Sequence, residues 1–209
     1  MGVYVGELDD LRRYVGRVFG REEAFDRHFF DDKYQREDPF RYENSAYDEL
    51  KRELVRFLLR GRRFRNLLDV GSGEGYLARH IRDNADTISL LDCSNAAVER
   101  ARARVDIAGE NLVGDACEML ARLPDGFCDA IVVSEMLYYV APLPFNRYGR
   151  TLRREIVRVL EPGGRLVLVH PLGWWLHAAY RWDRRLAIVR RVTLKTYRSV
   201  EALALERRV

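Results

Sequence analysis

Short apolar runs alternate with amphipathic stretches along most of this chain. The runs lie near 66–70, 87–92, 111–114, 130–134 and 165–170. Between them, apolar residues recur at helical spacing near 75–83, 95–104, about 117–122 and 147–160. Continuous apolar runs of strand length fit strands buried on both faces. Strands separated by helices fit a parallel sheet with helices on both sides. Two further strand-like runs, 187–195 and 200–207, are parted only by Thr196, Tyr197, Arg198 and Ser199. The pattern predicts an α/β fold: a doubly wound, seven-stranded, mostly parallel sheet closed by a C-terminal antiparallel hairpin.

The region before the first strand reads differently. Leu11, Tyr14, Val15, Val18 and Phe19 fall at helical spacing, residues 25–34 mix aromatic and acidic side chains, and Asp38-Pro39-Phe40 is a breaker. Ser45 is placed as a helix N-cap, with Asp48 three residues on. The helix it starts carries Tyr47, Leu50, Leu54, Phe57 and Leu58 and stops before Gly61. Residues 1–62 are expected to be a helical extension that packs on the sheet or lids its site. Residues 63–209 are expected to be the core of the same single domain.

Composition narrows the class without naming a reaction. The chain has 209 residues, enough for one domain with a sizeable core. It has 36 basic and 32 acidic residues, and only Lys33, Lys51 and Lys195 are lysines. Acids are interspersed with the arginines, so the basic clusters at 60–65 and 181–191 read as solvated rims, with no nucleic-acid partner expected. No signal-like N-terminus and no long apolar run point to secretion or a membrane span, so a cytoplasmic protein is expected. Cys93, Cys117 and Cys128 lack metal-ligand spacing, and no metal is expected.

The chemistry gathers at strand ends. Leu67-Leu68-Asp69-Val70-Gly71-Ser72-Gly73-Glu74-Gly75-Tyr76 is an apolar run ending in an acid, then a turn with glycine at every second position. Glycine tolerates positive φ and has no Cβ, so this backbone is expected to approach something closely. The dinucleotide fingerprint needs a third glycine where Tyr76 stands, which counts against a nicotinamide dehydrogenase. The next run ends in Asp92-Cys93-Ser94-Asn95, roughly 20 residues beyond the turn, where a carboxylate can accept both hydroxyls of a ribose. The plainer reading of that segment is a helix N-cap at Ser94 or Asn95. The third run ends in Gly114-Asp115-Ala116, where the acid can accept an adenine amino group and the Ala116 N–H can meet a ring nitrogen. Asp69 suits a cationic amino group. Together these sites predict a pocket for S-adenosylmethionine (SAM), with S-adenosylhomocysteine (SAH) as product.

Two more segments complete a set: Asp129 to Glu135 in the fourth run, and Pro162-Gly163-Gly164, read as a turn before the fifth. In this order the motifs from about 64 to 207 resemble the class I SAM-dependent methyltransferases. The stretch Asp38-Pro39-Phe40-Arg41-Tyr42-Glu43-Asn44-Ser45-Ala46-Tyr47-Asp48-Glu49-Leu50-Lys51, with Ser134-Glu135-Met136-Leu137-Tyr138-Tyr139, is similar to the nodulation protein S family. That family's founding activity is N-methylation of an amino sugar at the end of a chitin-like oligosaccharide. Its pattern has Trp where Phe40 stands, so this chain lacks an N–H donor there. The resemblance implies a cofactor site drawn from Phe40, Tyr47, Asp69, Gly71, Ser72, Gly73, Gly75, Asp92, Cys93, Asp115, Ala116, Ser134 and Glu135. It implies a small-molecule acceptor, an amine or hydroxyl of a sugar or sugar-derived natural product.

Methyl transfer needs a lone pair on the acceptor, so a base is sought at the carboxyl ends of the strands. His170, before Pro171, and Glu135 are the candidates. Phe40, Tyr47, Tyr138, Tyr139, Trp174 and Trp175 are candidate pocket walls. Rival readings are an RNA or protein methyltransferase and a SAM-binding module without turnover. A nucleic-acid amino-methyltransferase would carry Asn/Asp-Pro-Pro-aromatic where Ser134-Glu135-Met136-Leu137 stands. A metal-dependent catechol type would place carboxylates where His170-Pro171 stands.

Overall fold

The computed structural model describes residues 27–43, 45–106, 108–171, 173–195 and 199–209. The expected helix at 11–19 lies outside these residues, as do Asn44 of the motif, residues 196–198 of the hairpin and the side chain of Trp174. The elements are α1 (Arg27–Lys33), α2 (Ala46–Leu58), β1 (Phe64–Val70), α3 (Tyr76–His80), β2 (Ala85–Asp92), α4 (Asn95–Val105), β3 (Asn111–Val113), α5 (Ala116–Arg122), β4 (Cys128–Ser134), α6 (Leu137–Val140), α7 (Arg147–Val159), β5 (Leu160–Pro171), α8 (Gly173–Leu176), α9 (Ala178–Arg181), β6 (Leu186–Lys195) and β7 (Ser199–Arg207). One sheet carries the strands in the order β3-β2-β1-β4-β5-β7-β6. The first five strands pair in parallel; β7 runs antiparallel to both β5 and β6.

Alternation along the strands sorts side chains into two cores. Leu68 and Val70, Ile131 and Val133, and Leu166 and Leu168 face a layer that α5 and α7 complete with Leu120, Leu152 and Ile156. Leu67, Ala130, Val132, Val167 and Val169 face the other layer, covered by Leu54, Val55 and Leu58 of α2, Ala78 of α3, and Ala101 and Val105 of α4. Each fully buried Leu, Val or Ile contributes roughly 1.5–3 kcal/mol, so burial on both faces fixes the register and aligns the strand ends. The predicted cap holds: the Ser45 hydroxyl accepts from Asp48 N–H at 3.2 Å, and α2 ends before Gly61.

Three local differences have physical causes. Residues 27–33 form a helix where composition alone set none; Phe30 of that helix is buried against Tyr139 and Ala97. The helix expected over 75–83 stops at His80, and a 3-10 turn covers Arg82–Asn84, where Asp and Asn compete for backbone donors. Pro162-Gly163-Gly164 is no free turn. It lies inside β5 as an irregularity, with Cys128 facing Leu160 and Ala130 facing Arg165. Gly163 sits at φ +75° there.

Gly75 starts α3 at φ +77°, and a Cβ on it would stand 2.9 Å from Ala101 Cα. Gly61 has φ +105° with open space around it. Left-handed geometry alone costs an L residue roughly 1–2 kcal/mol. Gly61→Ala should therefore lose about that much in urea unfolding, and Gly75→Ala clearly more, because α4 must also move. Equal losses would show that Gly75 is not a packing contact.

Candidate active site

The carboxyl ends of β1, β2 and β4 open into one cavity with about 1020 Å³ of space outside protein atoms, part of it continuous with solvent. The glycine turn forms its floor. Gly71, Gly73 and Gly75 all have positive φ, at 79°, 51° and 77°. Leu91 carbonyl accepts from Gly71 N–H (2.8 Å) and Ser72 N–H (3.0 Å), and Asp92 Oδ2 accepts from Gly73 N–H at 2.9 Å. The neighbouring strand therefore sets the turn's shape. The close approach expected of these glycines is to protein atoms: Met136 over Gly71, the Tyr34 hydroxyl over Gly73 and α4 over Gly75.

Asp69 and Asp92 are both buried. Asp92 is compensated. Besides Gly73, it accepts from Ser94 N–H at 3.1 Å and from the Cys93 thiol at 3.6 Å. Burial still raises its pKa, against the pull of these hydrogen bonds. The segment also begins α4: Ser94 is the N-cap residue, without a side-chain cap bond. Asp69 Oδ2 is buried with no hydrogen-bond partner. Burial, and then the nearby Asp92, raise its pKa to about 7. Asp115 caps α5 by accepting from Glu118 N–H at 3.1 Å, and its other oxygen accepts from the Tyr148 hydroxyl at 2.6 Å. Ala116 follows as the first helical residue, so its N–H has no partner within the helix.

The segment before the sheet folds over this floor. Asp38 N–H donates to Glu74 Oε2 at 2.9 Å, and the Asp38 carboxylate accepts from Tyr42 N–H (2.7 Å) and Glu43 N–H (3.1 Å). The turn that results puts Phe40 and Tyr42 in the cavity wall beside Tyr34. Helix α2 adds Asp48 and Lys51. Lys51 Nζ is buried between Asp48 (2.5 Å) and Glu135 (3.5 Å).

Glu135 follows β4 at φ +56°, a left-handed geometry that costs about 1–2 kcal/mol in a side-chain-bearing residue. Its N–H is held by Val169 carbonyl at 3.1 Å. Oε2 accepts from the Tyr138 hydroxyl at 3.0 Å and pairs with Lys51; Oε1 is buried without a hydrogen-bond partner. Burial raises the pKa of this carboxyl, and Lys51 opposes the rise.

Most of the expected site residues thus share one cavity: Phe40, Asp69, Gly71, Ser72, Gly73, Asp92, Cys93, Asp115, Ala116, Ser134 and Glu135. Three expectations need correction. Gly75 faces α4 and not the cavity, because its missing side chain serves helix packing. Tyr47 packs beside the α2 core layer under Lys51 Nζ, 4.5 Å from its ring centre. His170 is fully buried and absent from the cavity lining; both ring nitrogens are occupied, Nε2 by Met136 and Leu137 N–H (3.2 Å each) and Nδ1 by His177 at 2.9 Å. It has no lone pair to offer an acceptor. Of the candidate walls, Phe40 and Tyr139 line the cavity, whereas Tyr138 and Trp175 do not. The sequence reading missed Tyr34, Tyr42, Asp48, Lys51 and Met136. Asp48 and Lys51 sat inside the 38–51 stretch, but nothing local marked them as facing the loop after β4.

Residues 68–168 match a family described as a methyltransferase domain. Among solved structures, the N-methyltransferase NodS from Bradyrhizobium japonicum WM9 in complex with SAH is similar over 86% of this chain and 97% of that one, with TM-score 0.71 and 19% identity. The [4+2]-cyclase SpnF is similar over 79% and 85%, with TM-score 0.64 and 18% identity. Geranyl diphosphate methyltransferase in complex with GPP and sinefungin is similar over 77% and 78%, with TM-score 0.60 and 17% identity. At such identities the likeness is one of fold. Among curated proteins, 130 residues are 28% identical to the "Probable non-canonical nonribosomal peptide synthetase (NRPS) CymA" of Salinispora arenicola (strain CNS-205). They make up 61% of this chain, which spans 2% of the length of that relative. Among the described residues, no helix is long and apolar enough to cross a membrane.

Proposed function

We propose that this chain, whose residues 68–168 match a methyltransferase domain, is a class I SAM-dependent methyltransferase and that it methylates an amine of a small molecule, with a sugar or sugar-derived natural product as the acceptor class. The observation that carries the amine is Glu135 Oε1, a buried carboxylate oxygen without a hydrogen-bond partner in a residue that lines the cavity. The cluster around it holds two carboxylates, Asp48 and Glu135, and one ammonium, Lys51. Its balance suits an incoming cation. The sugar class rests on the resemblance of the 38–51 and 134–139 motifs to the nodulation protein S family. Cys93 and Cys128 are buried and, like Cys117, free, which suits a reducing cytoplasm.

The residues present fit SAM. Asp69 Oδ2, Ser72 Oγ and Ser94 Oγ are buried without hydrogen-bond partners around the glycine turn. Asp69 takes the amino group of the cofactor, Asp92 the ribose hydroxyls, and Asp115 with the Ala116 N–H the adenine. Gly71, Ser72, Gly73, Cys93 and Ser134 line the same space. When bound, SAM supplies a methyl group activated by its sulfonium. The protein's own share is positioning and proton handling. Phe40, Tyr42 and Tyr139 exclude water. Glu135 accepts the acceptor's proton at Oε1, while Lys51 and Tyr138 hold Oε2 in place.

The Asp69 role sets a pH dependence. With a pKa of about 7, Asp69 is partly protonated at neutral pH in the free protein. A cationic amino group binds only the ionised form, so affinity weakens as pH falls. SAH should bind about tenfold more weakly at pH 6 than at pH 8 by calorimetry, from the protonation penalty alone. Asp69→Asn should bind more weakly at pH 8 and show a nearly flat profile. A flat wild-type profile would remove Asp69 from the cofactor site.

The acceptor is tested by methyl transfer from labelled SAM to a panel of amino sugars, their N-acetyl derivatives and the parent sugars. Free amines should be methylated and the other two groups left alone. Glu135→Gln should lower turnover about 10²–10⁴-fold while SAH affinity stays within a few fold. Transfer to N-acetyl and parent sugars at the amine rate would point to oxygen instead.

A further inference from the structure

Three consecutive amides after β4 are held by the end of β5. Val169 carbonyl takes Glu135 N–H, and His170 Nε2 takes both Met136 N–H and Leu137 N–H. An amide N–H can only donate, so Nε2 must be unprotonated. The His170 proton therefore sits on Nδ1 and points at His177 Nε2, 2.9 Å away. That fixes His177 in turn: its own proton sits on Nδ1 and points at Glu201 Oε2 at 3.0 Å. Glu201 lies directly across from His170 in the β5–β7 register, and His177 bridges the two side chains. The other Glu201 oxygen pairs with Arg181 (3.2 Å) and Arg191 (2.7 Å), the latter half exposed on the edge strand β6. The hydrogen bonds of this relay converge on Glu201: the loop amides donate to His170, His170 to His177 and His177 to the buried carboxylate, which Arg181 and Arg191 meet from the other side.

We propose that His170 is a positioning residue for Glu135, with its tautomer set through His177 by Glu201. The loop it grips has two duties. Its left-handed turn at Glu135 carries the carboxylate of the cavity wall, and Met136 packs over Gly71 of the glycine turn, where a Cβ would come within 2.9 Å. Releasing Met136 and Leu137 N–H would let the strained Glu135 backbone relax. That would move the carboxylate away from Lys51 and Tyr138. The charged groups around the relay are Glu201, Arg181 and Arg191, with Lys51 acting on His170 from α2; the Tyr138 ring lies edge-on, 6.3 Å from the His170 ring. Burial first, then His177 and Lys51, hold His170 neutral well below the usual histidine range, so its acceptor lone pair persists through neutral pH.

The claim that this loop matters for catalysis rests on the proposed role of Glu135, but the relay can be tested without any methyl acceptor. Long-range ¹H–¹⁵N spectra of the ligand-free protein should show both imidazoles neutral and protonated on Nδ1. His170→Leu and Glu201→Leu should raise amide exchange at 136 and 137 about tenfold, the size of one lost hydrogen bond, and leave exchange in β1 and β4 unchanged. The ¹³C titration of the Glu135 carboxyl should then move towards that of an ordinary glutamate. His170→Gln, which keeps an acceptor oxygen near the Nε2 position, should restore both signals; a merely space-filling histidine would not be rescued this way. A wild-type Nε2–H tautomer would overturn the proposal, and so would a His170→Leu protein with unaltered exchange and Glu135 titration. If His170→Leu fails to fold, Glu201→Leu and the wild-type tautomer decide. An intact relay in a protein that methylates no amine would sink the proposed acceptor and leave the positioning role standing.

Discussion

The Asp92 carboxylate grips the glycine turn from the neighbouring strand, and the cavity takes its form from that contact. A hydrogen bond between a backbone donor and a carboxylate contributes about 1.5–3 kcal/mol. Asp92 accepts two of these, from Gly73 and Ser94, which offset part of the cost of its own burial. With Leu91 carbonyl holding Gly71 and Ser72, three successive amides of the turn belong to β2 and not to the strand that precedes them. Only glycine accepts the resulting left-handed geometry at 71 and 73 without strain. Asp69 is left beneath the turn with an unpartnered oxygen and a pKa near neutrality. The turn is thus held by its neighbours, and one carboxylate oxygen beneath it is left without a partner.

A second clamp of the same kind acts on the opposite wall. The end of β5 takes three successive amides of the loop after β4, as the end of β2 takes three of the loop after β1. In both places a parallel neighbour supplies acceptors just where its own ladder stops. The loop shapes therefore depend on the alignment of strand ends, which the two-sided core enforces. Between the clamps, Lys51 from α2 sits among carboxylates and ties the segment before the sheet to the loop after β4. Removing one member of such a buried ion cluster leaves an uncompensated charge, a loss larger than the pair's net contribution to stability.

The layout of strands and helices was legible because both cores are written as period and run length. The acids at 69, 92 and 115 were legible because each ends an apolar run. What the sequence hid are contacts made across it. Gly75 reads the same as Gly71 and Gly73, yet its empty side faces Ala101. His170 lies near the end of a strand at the correct edge of the sheet, but His177 and the loop amides consume both of its nitrogens, and no local pattern signals a partner seven residues on, beyond the end of β5. Pro162-Gly163-Gly164 carries the composition of a turn and lies within β5, where β4 pairing resumes after the irregularity. Asp48 read as a partner of the Ser45 cap and Lys51 as the end of the 38–51 stretch; their meeting with Glu135 is made only by the fold.

Calorimetric titration of the wild-type protein and of Asp92→Ala with SAH and with NAD tests the central claim, that the strand-end acids and the glycine turn form a SAM site. The account predicts saturable binding of SAH at one site, at least tenfold weaker binding in Asp92→Ala with unchanged circular dichroism, and no heat with NAD. Equal SAH affinity in the two proteins, or saturable binding of NAD in place of SAH, would contradict it.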